Sequence, residues 1–410
     1  MDRRDFVKSS AMFGSSLIIP SAYTKDLSKA HSSPSVKPLA ITMWDFSWLE
    51  RRWPGAGYED WDRALSELVE RGYNAIRIDV YPHLIATNPT KEWILKPVWS
   101  VQHWGAPGAV KVQVQPALNQ FLEKCAKYKV KVAISTWYRE DTDNVRMNIK
   151  TPQIMAQQWI ETVKSIEDAG LLDTVFCVDL CNEWPGDSWA PFFTNDPPEQ
   201  TWGVWYTDVS MKWMQDAITV VREAYPSLPV SFSFDFRNHE KVVEKDLSFV
   251  DFADPHIWMA QYNRGEFYKQ IGYNYDRFNE DSYNNMAQNA RRMYLEKKDY
   301  WDAGLRSMIQ DAAQVAQSKQ LPLITTECWG PVDYKDWPML EWDWVKELCS
   351  IGTIEASKSA QWLAIATSNF CGPQFKGMWR DIQWHQTHTD IIKTGKINPD
   401  FKDKLIHQRL

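Results

Sequence analysis

The chain of 410 residues is short of several things, and each shortage closes off a class of function. Basic residues are outnumbered, 46 Lys and Arg against 53 Asp and Glu, for a net charge of −7. Binding to polyanions needs clustered cations that displace counterions, and no run of Lys and Arg interleaved with aromatics is present. Nucleic acid and anionic membrane surfaces are therefore poor partners. No apolar run reaches the ~20 residues of a bilayer-spanning helix. Glycine is scarce, and Gly55-Ala-Gly57, which precedes a helical pattern, lacks the third glycine of a dinucleotide fingerprint. That counts against a doubly wound sheet. The six cysteines (Cys125, Cys177, Cys181, Cys328, Cys349 and Cys371) include no Cys-x-x-Cys pair and no tight Cys/His spacing for zinc. Cys177, Cys181 and Cys328 fall in apolar runs, where cysteine acts as a small hydrophobe. No metal or cofactor is expected. Internal repeats and low-complexity tracts are also missing.

What is abundant is tryptophan, whose 23 copies outnumber the 17 glycines. Broad aromatic faces suit ligands that are apolar on their ring faces and hydroxylated at their edges, as sugars are. At the N-terminus, Arg3-Arg4, an apolar stretch from Ala11 to Ile19 and the small pair Ser21-Ala22 resemble a twin-arginine export signal. Residues 1–30 are thus expected to be signal and linker, with export to the periplasm or beyond, and 36–410 the folded domain. Nothing in the sequence fixes an oligomeric state.

Apolar, β-rich runs recur at 38–44, 74–80, 130–136, 174–181, 229–235, 250–256, 321–327 and 361–368. Amphipathic stretches between them predict helices, among them 116–128, 153–169, 203–224, 284–319 and 338–350. Eight strands alternating with helices predict one (β/α)₈ barrel with long, aromatic βα loops. Those loops are 81–113 with Trp93, Trp99 and Trp104, 184–205 with Trp184, Trp189, Trp202 and Trp205, and a third from Met259 to Tyr283.

Functional groups of such barrels stand at the carboxyl ends of the strands. Here those ends carry Asp45, Arg77, Asp79, Asn182, Glu183, Asp235, His256 and Glu327. Polar groups at the ends of apolar strands are costly unless they bond one another or a ligand. Strand alternation puts Glu183 on the side of Asp179 and Cys181, and Glu327 on the side of Leu323 and Thr325. Two carboxyls meeting across the barrel mouth suit glycoside hydrolysis, one donating a proton and the other attacking as a carboxylate. Arg77 is placed to keep Glu327 ionised through charge-assisted hydrogen bonds.

Asp179-Leu-Cys-Asn-Glu-Trp184 and Thr325-Thr-Glu-Cys-Trp-Gly330 resemble the two catalytic motifs of glycoside hydrolase clan A. The likeness is nearest to family 5 and its cellulase-like relatives. Gly72-Tyr-Asn-Ala-Ile-Arg77 is similar to that family's strand 2 motif and Asp254-Pro-His256 to its strand 6 motif. The resemblance implies that Asn182 binds the sugar 2-hydroxyl, Glu183 is acid/base and Glu327 is the nucleophile of a retaining β-glycosidase. It further implies a glucan- or mannan-like substrate. Trp44, Asp45, Arg77, Trp137, Trp184, Asp235, His256, Trp258 and Trp329 are the remaining candidates for substrate binding. Three positions depart from the family pattern. Strand 3 ends in Ser135-Thr-Trp-Tyr138 without a His, strand 6 has Trp258 in place of a Tyr, and strand 8 has no Trp at its mouth. Those departures leave a non-catalytic carbohydrate-binding barrel as the alternative, and an exported redox enzyme as a third possibility without a supporting motif.

Overall fold

The apolar runs become parallel strands wherever β-branched residues are bounded by turn formers. In a computed structural model, residues 36–98, 105–193, 204–238, 240–274, 280–334 and 340–410 are described. Residues 1–30, expected to be signal and linker, and the loop residues Trp99, Trp104 and Trp202 lie outside them. The described strands are β1 (Leu39–Thr42), β2 (Ala75–Asp79), β3 (Glu92–Leu95), β4 (Val110–Gln113), β5 (Lys131–Ser135), β6 (Val175–Asp179), β7 (Val230–Ser231), β8 (Ser233–Asp235), β9 (Asp254–Trp258), β10 (Leu323–Thr325), β11 (Cys328–Trp329) and β12 (Trp362–Ala366).

Seven strands pair in the order β10-β12-β1-β2-β5-β6-β7, and three more in the order β11-β9-β8. β7 and β8 are two halves of one strand, as are β10 and β11, and a parallel bridge from Ala253 to Leu323 joins β9 to β10. The two sheets therefore close into one ring of eight strands, every pairing in it parallel. This is the (β/α)₈ barrel, and each of the eight apolar runs supplies one of its strands.

Helices cover the outside, and their ends follow local chemistry. Asp60 caps Trp61–Glu70, Thr151 caps Pro152–Asp168 and Thr207 caps Asp208–Ala224, each through its side chain. The first of these is followed by Gly72 at φ +86°, where a Cβ would also lie 2.2 Å from Thr389 Oγ1, so both conformation and space require glycine. The stretch expected as a single helix over 284–319 is two, Glu280–Glu296 and Lys298–Lys319. Lys297 between them has φ −128° and ψ 34°, outside the helical region.

Inside the 81–113 loop, β3 and β4 form an antiparallel hairpin, with Trp93 and Leu95 buried and Glu92 and Ile94 exposed. It continues onto the loop after β5, since Lys96 N–H donates to Glu140 O at 2.7 Å and Thr142 N–H to Ile94 O at 3.0 Å. The hairpin thus walls the carboxyl-end face. Tryptophan serves packing far more than composition suggested: ten of the 23 are almost fully buried. All six cysteines are buried and free.

Candidate active site

Arg77 on β2 organises the barrel mouth. Its guanidinium is fully buried, which is tolerable only because its donors are met by oppositely charged or polar acceptors. Nε donates to Asp45 Oδ1 at 3.0 Å, Nη1 to Thr326 Oγ1 at 2.7 Å, and Nη2 to Asn182 Oδ1 at 2.7 Å and Glu327 Oε1 at 2.6 Å. One side chain thereby fixes the ends of four strands. Burial alone would lower its pKa, but the carboxylates of Asp45, Glu327, Asp254 and Asp179 hold it well above its ordinary value.

Glu183 and Glu327 face each other across this centre. An oxygen of each and a nitrogen of His256 all lie within 4.8 Å of one another. His256 Nδ1 donates to Glu183 Oε1 at 2.8 Å and lies 3.7 Å from Glu327 Oε1. The other oxygen, Oε2, of each glutamate takes no hydrogen bond from a described residue, so each can turn one oxygen to a ligand. Burial raises the pKa of Glu327 to about 7, Glu183 and Asp45 adding to the rise while the guanidinium of Arg77 opposes it. The contact expected from Arg77 is present, but desolvation outweighs its pull. Two carboxyls so close disfavour double ionisation, which is the direction in which Glu183 moves Glu327.

For His256, burial alone would lower the pKa, whereas Glu327, Asp254 and Glu183 raise it well above 6.5. Against that stands the guanidinium Nη1 of Arg77, 3.1 Å from Nε2, which can only donate. The direct contact decides for the neutral form carrying its proton on Nδ1, the nitrogen bonded to Glu183. Asp254 steadies the strand beside it, accepting Thr326 N–H at 3.0 Å and the Thr326 hydroxyl at 2.7 Å. Two carboxylates and an imidazole at this spacing are a set that can hold a divalent cation. Here Arg77 already supplies a fixed positive charge beside Glu327 and His256, which an added dication would have to face.

Neither glutamate follows strand alternation. Thr326 and Glu327 are consecutive, yet both reach Arg77, because the seventh strand is interrupted between β10 and β11. Asn182 and Glu183 are consecutive too, and both point inward because Glu183 takes a left-handed backbone, φ +43°, beyond the end of β6. That turn is anchored by Ser233, whose Oγ accepts Glu183 N–H at 3.0 Å and donates to Asp179 Oδ2 at 2.8 Å.

A family model described as sugar-binding cellulase-like matches residues 41–393. The chain belongs to that family. Among solved structures, a candidate glycoside hydrolase from Parabacteroides distasonis ATCC 8503 is 54% identical, with a TM-score of 0.90 over 92% of this chain and 100% of its own. A hyperthermophilic endo-β-1,4-glucanase aligns with a TM-score of 0.49 and 12% identity over 85% of this chain and 96% of its own. A glycoside hydrolase family 5 mannosidase from Rhizomucor miehei aligns at 0.48 and 9% over 92% and 95%. No curated protein matches.

Within this cellulase-like site, Asp45, Arg77, Asn182, Glu183, His256 and Glu327 converge. Trp137 joins them, its indole donating to Asp45 Oδ2 at 2.5 Å while its ring packs edge-on against Phe46 and Trp189. Trp44 is buried, with its indole bonded to Asn369 O, and Trp258 is buried at the end of β9. Three candidates need correction. Trp184 turns away from the mouth into a cluster with Phe193, Trp213 and Phe232, its indole bonded to Ser210 Oγ at 2.8 Å, so it offers no face to a sugar. Trp329 is clamped against Gly352 of the helix Asp343–Lys358 and donates to Ala366 O at 3.0 Å, which makes it core. Asp235 spends both oxygens on Arg237, at 2.9 Å from Nε and 2.8 Å from Nη2, and caps a short turn. Thr326, Ser233 and Asn369 were not singled out by sequence. Thr326, Ser233 and Asp254 share a signal that was available there, a small or acidic polar residue inside or next to an apolar strand.

Proposed function

We propose that the protein is a retaining β-glycoside hydrolase in which Glu183 is acid/base and Glu327 is nucleophile. The observation that carries this reading is the approach of the two carboxyls to within 4.8 Å. Retaining enzymes need ~5–5.5 Å between them, whereas inverting ones leave ~6.5–9.5 Å for a water. Glu183, bonded at Oε1 by His256, presents Oε2 to protonate the departing glycosidic oxygen. Glu327, bonded at Oε1 by Arg77, attacks the anomeric carbon through Oε2, and the glycosyl ester is then cleaved by water that Glu183 deprotonates. Asn182, whose Nδ2 is buried without a partner among the described residues, has a donor left for the sugar.

The substrate class we favour is a β-linked glucan- or mannan-like oligosaccharide, supported by the family and by the hairpin that walls the site. The test is to trap the ester. 2,4-Dinitrophenyl 2-deoxy-2-fluoro-β-D-glucoside, or its manno counterpart, should label one residue, and peptide mass spectrometry should place the label on Glu327. A label elsewhere, or none with either compound, rejects the assignment. We further propose export through the Arg3-Arg4 signal; replacing both with Lys should hold the precursor in the cytoplasm, and unaltered export would exclude that route.

A further inference from the structure

At the strand 8 mouth, where no tryptophan stands, Asn369 is 1% exposed, and neither its Oδ1 nor its Nδ2 meets a partner among the described residues. Its backbone is fixed on both sides. The N–H donates to Cys328 O at 2.9 Å, and the carbonyl accepts from the Trp44 indole. Cys328 follows Glu327 and Trp44 precedes Asp45, so Asn369 sits between the strand that carries the nucleophile and the strand that anchors Arg77. A carboxamide buried with both polar atoms unmet is destabilising, and an apolar side chain of the same size would pack there at less cost. Asn at this position is accounted for by a partner outside the chain, a ligand or an ordered water.

We propose that Asn369 is a substrate-binding, specificity-determining residue whose carboxamide grips two adjacent hydroxyls of one sugar ring. Oδ1 accepts from one hydroxyl and Nδ2 donates to the other, a pattern that matches a neutral vicinal diol. The proposal rests on the sugar site argued above but not on its catalysis. Asn369 completes, from the opposite side of the ring of strands, the hydrogen bonding that Asn182 begins. A site built around such groups discriminates strongly against analogues that lack the hydroxyl, because its own polar atoms are then left unmet.

The test is equilibrium binding of cellotetraose and mannotetraose by calorimetry, on the full chain carrying Glu327→Gln so that the sugar persists. In that background Asn369→Leu and Asn369→Ala should each weaken the tetrasaccharide that binds by about tenfold or more. The melting temperature of Asn369→Leu should stay level or rise. Affinities within twofold of the parent overturn the proposal, as does a fall in melting temperature of both variants with affinity retained, which is the mark of a structural residue. Failure of the parent to bind either sugar overturns it as well. The labelling experiment separates the two readings: binding that depends on Asn369 without a label on Glu327 keeps this residue's role and removes hydrolysis, and the opposite pair of results does the reverse.

Discussion

Glu183 and Glu327 are chemically the same side chain, and in the proposed mechanism their division of labour comes from what holds each Oε1. A neutral imidazole donates to one, a guanidinium to the other. In that mechanism protonation of the leaving oxygen matters when the oxygen departs reluctantly, whereas attack by the nucleophile, here assigned to Glu327, is required for every substrate. Glu183→Ala should therefore slow glycosides with poor leaving groups by about 10²–10⁴-fold, the usual worth of general acid catalysis. Activated aryl glycosides should still form the glycosyl–enzyme rapidly. The ester should then accumulate for want of a base, and added azide should restore turnover as a glycosyl azide of retained configuration, seen by NMR. Equal losses for every leaving group would return the acid role to another carboxyl, Asp179 being the nearest in sequence.

At the scale of elements, one contact shows how closely strand seven is held. Gly352 faces Trp329 so tightly that a Cβ there would lie 2.4 Å from the indole Cγ. Gly352→Ala should therefore cost about 1–3 kcal/mol of stability in urea denaturation, as overpacking does, and by shifting β11 it should also lower turnover. Stability equal to that of the parent would mean that the Trp329 ring can move aside. All eight barrel strands were legible as apolar runs because parallel strands buried on both faces need continuous hydrophobic sequence. The β3–β4 hairpin was missed although Glu92-Trp-Ile-Leu95 alternates in burial, because Ile94 is apolar and exposed and hides the period. At the site, residue types and strand ends identified the converging groups, but alternation does not allow the consecutive pairs Asn182–Glu183 and Thr326–Glu327 to face one centre. A strand interruption and a left-handed residue leave no mark on hydrophobic periodicity. Trp184 and Trp329 were misjudged for a related reason: sequence places a tryptophan beside a candidate catalytic residue without saying which way its ring turns.

Over the whole molecule, a polar knot ties the first and last units of the barrel together, and that knot is expected to weaken in acid. Tyr73, just before β2, shares its hydroxyl with Thr367 Oγ1 at 2.5 Å, just after β12, and with His385 Nδ1 at 2.8 Å on the helix Ile382–Thr394. His385 Nε2 lies 3.0 Å from Met378 O and must carry the proton, so Nδ1 is the acceptor and the imidazole is neutral. Burial is the main cause that pulls its pKa down, to about 3, from 6.5. Because the folded pKa lies below the unfolded one, the unfolded chain binds the extra proton between about 6.5 and about 3. The contribution of His385 to stability is therefore intact above the unfolded value and is lost as pH falls through that window. At one pKa unit per 1.36 kcal/mol, lowering the pH from 6.5 to 5 should remove about 2 kcal/mol through this residue alone. His385→Gln keeps a donor and an acceptor but has no proton to take up. It should be less stable than the parent at pH 7.5, and the gap should close by about 2 kcal/mol at pH 5 in paired urea denaturations. A gap that stays constant across this range would show that His385 is not held neutral.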